Sequence, residues 1–303
     1  MISSLLLAAG RGERLRPLTD SVPKAALPLL DVPLGAWGLS TLRRTASSVM
    51  VNASWLAPAV EKALGAADVE VVREDPEAYG TAGTLKALED RIDERLLVHN
   101  CDLVTDLDPS DLFETHAGGG CLATIAVRDV NHRADLIHDG RRATGFVDRR
   151  FEQHPGAIYL GMAVFEREAI ARLDDRRPLG LGETLLKDLA QVGELAVHVH
   201  RGYGADVGTP EAYVEASIDV LEGRAPAPPV DLPGRVVAVR GGRAYLGPGA
   251  TAAEGALGPG AIVLAGASVA PWARVEQAIV WTGVKVKSGR EVLNAVAIDD
   301  RDL

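Results

Sequence analysis

The sequence predicts an α/β fold followed by a separate β-helical segment. Short apolar runs alternate with helix-length segments over about the first two thirds of the chain, which is the pattern of a sheet covered by helices. The first apolar run, Leu5–Leu7, leads directly into a glycine-bearing loop, as strands of open α/β sheets do at their ligand-binding edge. From about Gly234 onward, aliphatic residues recur every six positions, which is the period of a parallel β-helix.

The expected elements follow one another in chain order after the opening strand. Helix starts are the clearest signals, because Pro33 and Pro210 occupy first-turn positions and Thr209 is a good N-cap. We expect helices over residues 33–44, 57–64 and 210–221. The apolar runs predict strands over residues 48–52, 69–73, 95–102, 121–127, 157–165 and 195–200.

Composition narrows the class of protein. The chain has 303 residues, 47% hydrophobic and 24% charged, which suffices for one large or two moderate globular domains. A net charge of −10 argues against a nucleic-acid-binding surface, because such surfaces carry basic patches. The two cysteines, Cys101 and Cys121, lack metal-ligand spacing and predict buried thiols in a reducing compartment. The N-terminal apolar run is too short for a signal peptide or a membrane span, so we expect a cytoplasmic protein without a membrane partner.

The loop after the first strand has the features of a phosphate site. Gly10 and Gly12 allow a tight turn that brings backbone N–H groups close to a ligand. Four cations lie in or just after this loop: Arg11, Arg14, Arg16 and Lys24. Oriented amides and charge-assisted hydrogen bonds are what phosphate oxygens require. A basic surface loop would explain the charge but not its combination with glycines at the end of a core strand.

The same stretch carries a family resemblance. The run Leu6-Leu7-Ala8-Ala9-Gly10-Arg11-Gly12-Glu13-Arg14-Leu15-Arg16-Pro17-Leu18-Thr19, with Pro23-Lys24, resembles the signature loop of the sugar-1-phosphate nucleotidyltransferases (NDP-sugar pyrophosphorylases). The resemblance implies a Rossmann-like three-layer sandwich with a mixed central sheet. It also implies that an NTP and a sugar 1-phosphate react to an NDP-sugar and pyrophosphate. In that reaction Arg14 and Lys24 would be catalytic, and Ala8, Ala9, Gly10, Arg11 and Gly12 would cradle the nucleotide.

A second glycine-rich segment follows the strand over residues 69–73. Residues 74–79 predict a loop, and Gly80 and Thr81 begin a helix. On sequence alone, a tight loop with a helix cap explains this pattern. The resemblance implies instead that Gly80 and Thr81 contact the nucleotide base, with Glu74 nearby.

Two acidic residues form a separate pair of landmarks. Asp102 ends a buried strand, where a carboxylate is either a cap for the next loop or a metal ligand, and the spacing leaves both open. The resemblance implies that Asp102 is a Mg²⁺ ligand and that Asp206, in the segment Asp206-Val207-Gly208-Thr209-Pro210, is the second. Cys101 stands where the family has glycine, which adds a side chain near the metal.

The segment that would bind the sugar phosphate departs from the family pattern. Many members carry Glu-Lys-Pro where this chain has Asp148-Arg149-Arg150. The resemblance implies that Asp148 holds sugar hydroxyls and that Arg149 grips the sugar phosphate, with a planar fork in place of a point charge. It also places Gly161 beside the sugar, although a strand glycine at a close backbone approach is the simpler reading.

The C-terminal part is set off by a proline-rich segment. We expect a catalytic domain over residues 1–222, a linker over 223–233 and a short left-handed parallel β-helix over 234–303. One register comprises Leu257, Val263, Val269, Val275 and Trp281, and a second comprises Ala261, Ala267, Ala273 and Ile279. The repeated aliphatic residues are expected to point inward. So few coils predict packing on the catalytic domain or on another subunit, and hence a possible homo-oligomer.

Three functions remain to be weighed. A nucleotidyltransferase fits best, with GTP and a mannose-like, heptose or cyclitol phosphate slightly preferred over glucose 1-phosphate with dTTP, UTP or ATP. Hexapeptide β-helices also occur in acyltransferases that use a histidine base, but all seven histidines here precede the linker. A non-catalytic sugar-nucleotide sensor would be expected to lose at least one of the charged residues that the reaction needs. This chain keeps all four, namely Arg14, Lys24, Asp102 and Asp206.

Overall fold

The computed structural model describes residues 2–46, 48–66, 68–147, 154–299 and 302. The strands up to the proline-rich segment are β1 (Ile2–Leu7), β2 (Pro28–Leu29), β3 (Val32–Pro33), β4 (Val49–Ala53), β5 (Val69–Arg73), β6 (Arg95–Asn100), β7 (Leu103–Thr105), β8 (Ala123–Val130), β9 (Leu136–His138), β10 (Ala143–Phe146), β11 (Gly156–Glu166), β12 (Leu195–Val199) and β13 (Gly204–Asp206). The α-helices in the described ranges are α1 (Leu34–Leu42), α2 (Ala57–Leu64), α3 (Thr81–Ala87), α4 (Pro109–Gly119), α5 (Arg167–Ala171), α6 (Lys187–Gln191) and α7 (Pro210–Glu222).

A mixed sheet forms the centre of this part of the chain. Its strands follow the order β5-β4-β1-β6-β11-β8-β12, and β9 and β10 continue from β11. Strands β5, β4, β1 and β6 are parallel, whereas β11 runs antiparallel to β6 and to β8. The predicted α/β class and the mixed central sheet are therefore confirmed.

Strand alternation explains why helices cover both faces of the sheet. In β1, Leu5 and Leu7 belong to one hydrophobic cluster and Leu6 to another. The first cluster includes residues of α3, α5 and α6, and the second includes residues of α1, α2 and α4. A strand buried on both faces reads as a continuous apolar run, which is why it was recognisable in the sequence.

Most sequence-predicted elements lie within a few residues of their observed bounds, with one difference that affects the site. The strand expected over residues 95–102 ends at Asn100, so that Cys101 and Asp102 begin the turn into β7. The short elements β9, β10, α5 and α6 were not expected, since pieces this short carry little periodicity. Both cysteines are free and buried, as predicted.

The C-terminal part is built of short strands in three parallel ladders. These strands are β14 (Arg235–Val239), β15 (Gly242–Leu246), β16 (Thr251–Ala252), β17 (Ala261–Val263), β18 (Ser268–Val269), β19 (Arg274–Glu276), β20 (Ala278–Val280), β21 (Lys285–Val286), β22 (Glu291–Leu293) and β23 (Val296–Ala297). The ladders are β15-β17-β20-β23, β16-β18-β21 and β19-β22, and β14 pairs antiparallel with β15. Partners are 17 residues apart, as in Ala261↔Ala278 and Ser268↔Lys285.

This 17-residue spacing corrects the strict six-residue register. Val263, Val269 and Val275 are buried in one cluster as expected, but the next member of that cluster is Val280. Trp281 and Ile279 therefore do not continue the inward registers. Both belong to a different cluster, which packs against α7. One residue is omitted at the corner between β19 and β20, so the inward positions move to Val280, Val286 and Val292, and a second five-residue step leads from Val292 to Ala297.

A third hydrophobic cluster joins the C-terminal ladders to the rest of the chain. On the ladder side it contains Tyr245, Ile262, Ile279 and Val296, which alternate with residues that face the interior of the ladders. On the other side lie Tyr213 of α7 and leucines of the segment between β1 and α1. The expected packing of this segment on the α/β part is thus present.

Candidate active site

The main cleft lies at the carboxyl ends of three neighbouring parallel strands. Leu7 of β1, Asn52 of β4 and Asn100 of β6 line it, in the position where open α/β sheets bind ligands. Its volume is about 460 Å³. The lining residues that the sequence predicted are Ala9, Gly10, Gly12, Arg14, Lys24, Glu74, Gly80, Thr81 and Asp102.

Glycine is required at position 12 for a steric reason. Its φ of +65° is left-handed, and an added Cβ would lie 2.9 Å from Cγ2 of Thr19. The Thr19 hydroxyl donates to the Gly12 carbonyl at 2.8 Å, and the Trp55 indole N–H donates to the Thr19 carbonyl at 3.0 Å. The loop is therefore held in shape by its own chain.

Two of the predicted nucleotide residues lie beside the cleft lining. Ala8 is buried, and its N–H donates to Oδ1 of Asn52 at 2.6 Å. Arg11 is exposed, with its guanidinium 5.5 Å from the centre of the Trp55 ring. This cation–π contact holds Arg11 at the outer side of the loop.

A buried polar network organises the far side of the cleft. Glu74 is 2% exposed and accepts hydrogen bonds from Asn52 Nδ2 at 2.8 Å, Thr84 Oγ1 at 2.6 Å and the Tyr79 N–H at 2.7 Å. Because these three donors bind its carboxylate oxygens, Glu74 stabilises the conformation of the loop over residues 74–79. Asn52 and Thr84 line the cleft as well, and sequence reasoning missed both. A polar residue at the end of a buried strand beside β1 was the available signal for Asn52.

The start of α3 is braced by the segment over residues 179–181. The Ala82 N–H donates to the Leu179 carbonyl at 2.9 Å, and the Leu181 N–H donates to Thr81 Oγ1 at 2.9 Å. Gly80 has a φ of +75°, and an added Cβ would lie 2.5 Å from the Leu179 oxygen. Only glycine allows this close approach, so Gly80 presents bare backbone to the cleft.

The structure brings the two predicted acidic residues together. Strands β7 and β13 pair antiparallel, and the Val207 N–H donates to the Asp102 carbonyl at 2.8 Å. Burial and the neighbouring Asp102 carboxylate raise the pKa of Asp206 above its ordinary value. Two carboxylates in this arrangement repel each other unless a cation lies between or beside them.

Each carboxylate has a cationic partner from the opening loop or the turn that follows it. The Lys24 ammonium donates to Oδ2 of Asp102, and both side chains are largely buried. The Arg14 guanidinium lies 3.7 Å from Oδ2 of Asp206, and both side chains are mostly exposed. Gly208 permits this second pair, because an added Cβ would lie 2.6 Å from the Arg14 guanidinium.

The donor set suits a hard divalent cation. Asp102 and Asp206 offer carboxylate oxygens, the ligands that Mg²⁺ prefers, and Mg²⁺ commonly completes its shell with water and substrate phosphates. Within the described ranges, no three His, Cys, Asp or Glu side chains gather into a complete protein cage. The pair therefore fits an ion that is shared with a phosphate ligand.

A second cavity of about 460 Å³ adjoins the first at Arg14, which lines both, and Asp206 belongs to the lining of the second. Tyr159 lines it, and its buried hydroxyl has no hydrogen-bond partner among the described residues. Burial raises the pKa of Tyr159 well above its ordinary value, so it is a neutral donor. Gly161 has a φ of +97° and packs against Asn100, where an added Cβ would lie 2.7 Å from Nδ2. Asp148 and Arg149 lie outside the described residues.

Cys101 contributes a neutral thiol to the cleft wall. Burial raises its pKa to about 12, and the neighbouring Asp102 acts in the same direction.

Among the helices that the structure describes, none has the length and apolar character needed to cross a membrane.

Comparison with known proteins agrees with this geometry. A family model described as nucleotidyl transferase matches residues 3–223. Mannose-1-phosphate guanylyltransferase of Mycobacterium tuberculosis is 28% identical over 305 residues, covering 95% of this chain and 82% of that protein. A putative mannose-1-phosphate guanyltransferase of Sulfolobus acidocaldarius is 28% identical over 73% of this chain, which spans only 64% of that relative. A putative glucose-1-phosphate thymidylyltransferase from Bacillus anthracis shares the fold, with a TM-score of 0.63, 18% identity and coverage of 72% of this chain and 94% of that one.

Proposed function

This chain belongs to the nucleotidyl transferase family, and from that premise we propose that it joins an NTP to a sugar 1-phosphate, forming an NDP-sugar and releasing pyrophosphate. The observation that carries the proposal is the convergence of Arg14, Lys24, Asp102 and Asp206 on one cleft edge. These residues come from three separate regions of the chain, so their meeting is a property of the fold.

The reaction needs no protein nucleophile. A phosphate oxygen of the sugar phosphate attacks the α-phosphorus in line, the bond to the β-phosphate oxygen breaks, and pyrophosphate leaves with the electron pair. Catalysis then rests on positioning and on neutralising charge. In this proposal Lys24 faces the α-phosphate, Arg14 neutralises the departing pyrophosphate, and Ala9, Gly10 and Gly12 present backbone N–H groups to the phosphates.

A divalent cation, which we propose to be Mg²⁺, would be held by Asp102 and Asp206. When bound, it supplies charge neutralisation to the reacting phosphates. The raised pKa of Asp206 and its proximity to Asp102 support this assignment, since the two carboxylates need a shared counter-charge. The Lys24 ammonium supplies a positive charge to Asp102 and holds its carboxylate in place.

The nucleotide and the acceptor are assigned to the two adjoining cavities. The base would lie against the bare backbone at Gly80 and Thr81, and the sugar phosphate would enter the cavity that Arg14, Asp206 and Tyr159 line. The unpartnered Tyr159 hydroxyl suits a sugar oxygen. We keep Asp148 and Arg149 as proposed sugar-phosphate contacts; Gly161 would act by shaping Asn100.

GTP with a mannose-like phosphate is the preferred substrate pair, because two relatives carry that activity in their names. A heptose or cyclitol phosphate, or glucose 1-phosphate with another NTP, is the alternative. A non-catalytic sensor is disfavoured by the retained charged pairs.

We further propose a division into residues 1–222, 223–233 and 234–303, with the last part a short left-handed parallel β-helix. The three parallel ladders with 17-residue spacing support a coil with three sides. A cytoplasmic location and self-association through this part remain proposals of the same kind.

The test is pyrophosphate release with Mg²⁺, each NTP in turn and a panel of sugar 1-phosphates, with products identified by mass spectrometry. One productive pair is expected and fixes both substrates. A folded chain that binds nucleotide but turns over no pair would contradict the enzyme and favour the sensor.

A further inference from the structure

The hairpin β2–β3 connects the catalytic lysine to the C-terminal ladders. It begins immediately after the turn over Lys24–Ala26, and its two tip residues, Leu30 and Asp31, have left-handed φ values of +50° and +61°. A two-residue hairpin turn requires this conformation, and Asp tolerates it, but Leu30 adopts it at a cost. Contacts from outside the hairpin therefore help to hold the tip.

The C-terminal ladders hold the tip through the Asp31 carboxylate. The Ala265 N–H donates to Oδ1 of Asp31 at 3.0 Å. On the other side the backbone comes so close that a Cβ on Gly247 would lie 2.2 Å from Oδ2. Burial raises the pKa of Asp31, while the hydrogen bond from Ala265 acts against that rise. The neighbouring Leu30 is fully buried in the cluster that contains Ile262 of β17.

Helix α7 holds the base of the same hairpin. The Tyr213 hydroxyl donates to the Pro28 carbonyl at 2.6 Å, and the Tyr213 ring meets Trp281 edge-on with 6.2 Å between centroids. Because α7 begins four residues after Asp206, the elements that carry Lys24 and Asp206 are both anchored on the C-terminal ladders. The turn over Lys24–Ala26 joins the lysine to the hairpin, and its Ala25 also packs in the cluster that contains residues of α1 and α2.

We propose that Asp31 is a positioning residue: by anchoring the hairpin tip to Ala265 it fixes Lys24 opposite Asp102. The inference rests on the proposed function, in which Lys24 faces the α-phosphate. If so, the C-terminal part contributes to the geometry of the cleft, although Ala265 lies more than 230 residues along the chain from the hairpin. A purely structural contact would stabilise the fold without affecting Lys24.

The test compares four full-length variants with the wild type. Asp31→Ala removes the acceptor for the Ala265 N–H. Gly247→Ala places a Cβ against Oδ2 of Asp31 and also 2.6 Å from the Ala265 nitrogen, so it displaces both partners of the anchor. Asp31→Asn keeps an oxygen acceptor and should rescue. Ile262→Val is the matched control, because it removes one methyl group from the cluster that also buries Leu30 and leaves the Asp31 carboxylate and its hydrogen bond from Ala265 in place.

Two readouts separate positioning from stability. We expect kcat of pyrophosphate formation to fall about 10-fold in Asp31→Ala and Gly247→Ala with little change in KM, because small misplacements of a charged group are costly. We also expect acetylation of Lys24, measured by mass spectrometry against the exposed Lys62, to accelerate in those two variants only. The Lys24 side chain is only 12% exposed and is paired with Asp102 in the wild type, so its labelling is slow and any displacement should accelerate it.

Unchanged kcat and Lys24 labelling in Asp31→Ala, or equal changes in Ile262→Val, would overturn the inference. If Asp31→Ala or Gly247→Ala does not fold, Asp31→Ser decides the question in the same way, because its shorter side chain withdraws the oxygen from the Ala265 N–H without adding an atom. A wild type that makes no pyrophosphate would contradict the proposed function, whereas the labelling experiment would still test the position of Lys24.

Discussion

The cleft contains two cation–carboxylate pairs that differ mainly in their exposure to solvent. The Lys24 and Asp102 side chains are 12% and 18% exposed, whereas those of Arg14 and Asp206 are 66% and 60% exposed and lie 3.7 Å apart. A buried pair holds its geometry, and losing one partner leaves an uncompensated charge. An exposed pair is screened and easily exchanged for another ion. The first pair is therefore suited to fixing the reacting groups, and the second to receiving phosphate.

The sharpest test of this difference is Asp102→Asn. It removes a proposed metal ligand and leaves the Lys24 ammonium without its partner, so we expect kcat to fall about 10³-fold or more. Arg14→Gln should lower kcat/KM by only about 10-fold, because the exposed guanidinium works in water. Steady-state kinetics on both variants, with circular dichroism as the folding control, gives the comparison. Equal losses at the two positions would remove the distinction between the pairs.

A second test replaces Lys24 by arginine. The larger planar guanidinium cannot fit the buried space beside Asp102 as the ammonium does, so we expect kcat to fall about 100-fold. The matched exchange Arg14→Lys on the exposed pair should cost less than about 10-fold. A Lys24→Arg enzyme close to wild-type rate would show that the buried pair is not geometrically restrictive.

Gly208→Ala perturbs the exposed pair without changing a charge. The new Cβ would lie 2.6 Å from the Arg14 guanidinium, so the arginine must move away from Asp206. We expect kcat/KM for the NTP to fall about 3-fold to 10-fold, because Arg14 is proposed to neutralise the departing pyrophosphate and its flexible side chain can recover part of its contact. Gly118→Ala, whose new Cβ meets no neighbouring side chain within 4 Å, is the control. An unchanged kcat/KM would count against this role of Arg14.

The smallest effect is expected on stability. Partial burial of the carboxyl group and the Asp102 carboxylate disfavour the charged form of Asp206, but solvent screens this mostly exposed side chain, so Asp206→Asn should raise the Tm of the protein without Mg²⁺ at neutral pH by only about 1 °C. Added Mg²⁺ should stabilise the wild type and leave this variant unchanged. Differential scanning fluorimetry with and without Mg²⁺ measures both. A lower Tm for the variant would show that the carboxylate stabilises the fold through Arg14.

The residues of the cleft divide into those that sequence could reveal and those that it could not. Arg14, Lys24, Asp102 and Asp206 were found because their neighbours form recognisable local patterns. Asn52 and Gly208 were not singled out, because their roles depend on atoms far away in the chain: the Ala8 N–H and the Arg14 guanidinium. Glu74 lines the cleft, and its contact with the nucleotide stays a prediction, but the three internal hydrogen bonds that its carboxylate accepts could not be predicted from local sequence.

In the C-terminal part, the sequence likewise did not reveal where the six-residue period shifts. A six-residue period is visible in Val263, Val269 and Val275, but the omitted residue before Val280 leaves no local mark in an Ala- and Val-rich stretch. The corner there is formed by Gln277 with a φ of +49°, a residue type that gives no turn signal. Strand pairing, which is non-local, fixes where the period shifts.

The 17-residue spacing of the ladders also determines how this part of the protein can change in length. Each coil adds one rung to every ladder, and the residues that pack on α7, such as Ile262 and Ile279, recur once per coil. A tandem duplication of 17 residues in the last coil would therefore keep every pairing register and leave the Asp31 anchor at Ala265 untouched. One pairing, Leu257↔Val275, spans 18 residues, so a corner can absorb a single extra residue, whereas a longer insertion that is not a whole coil would have to form a loop at a corner.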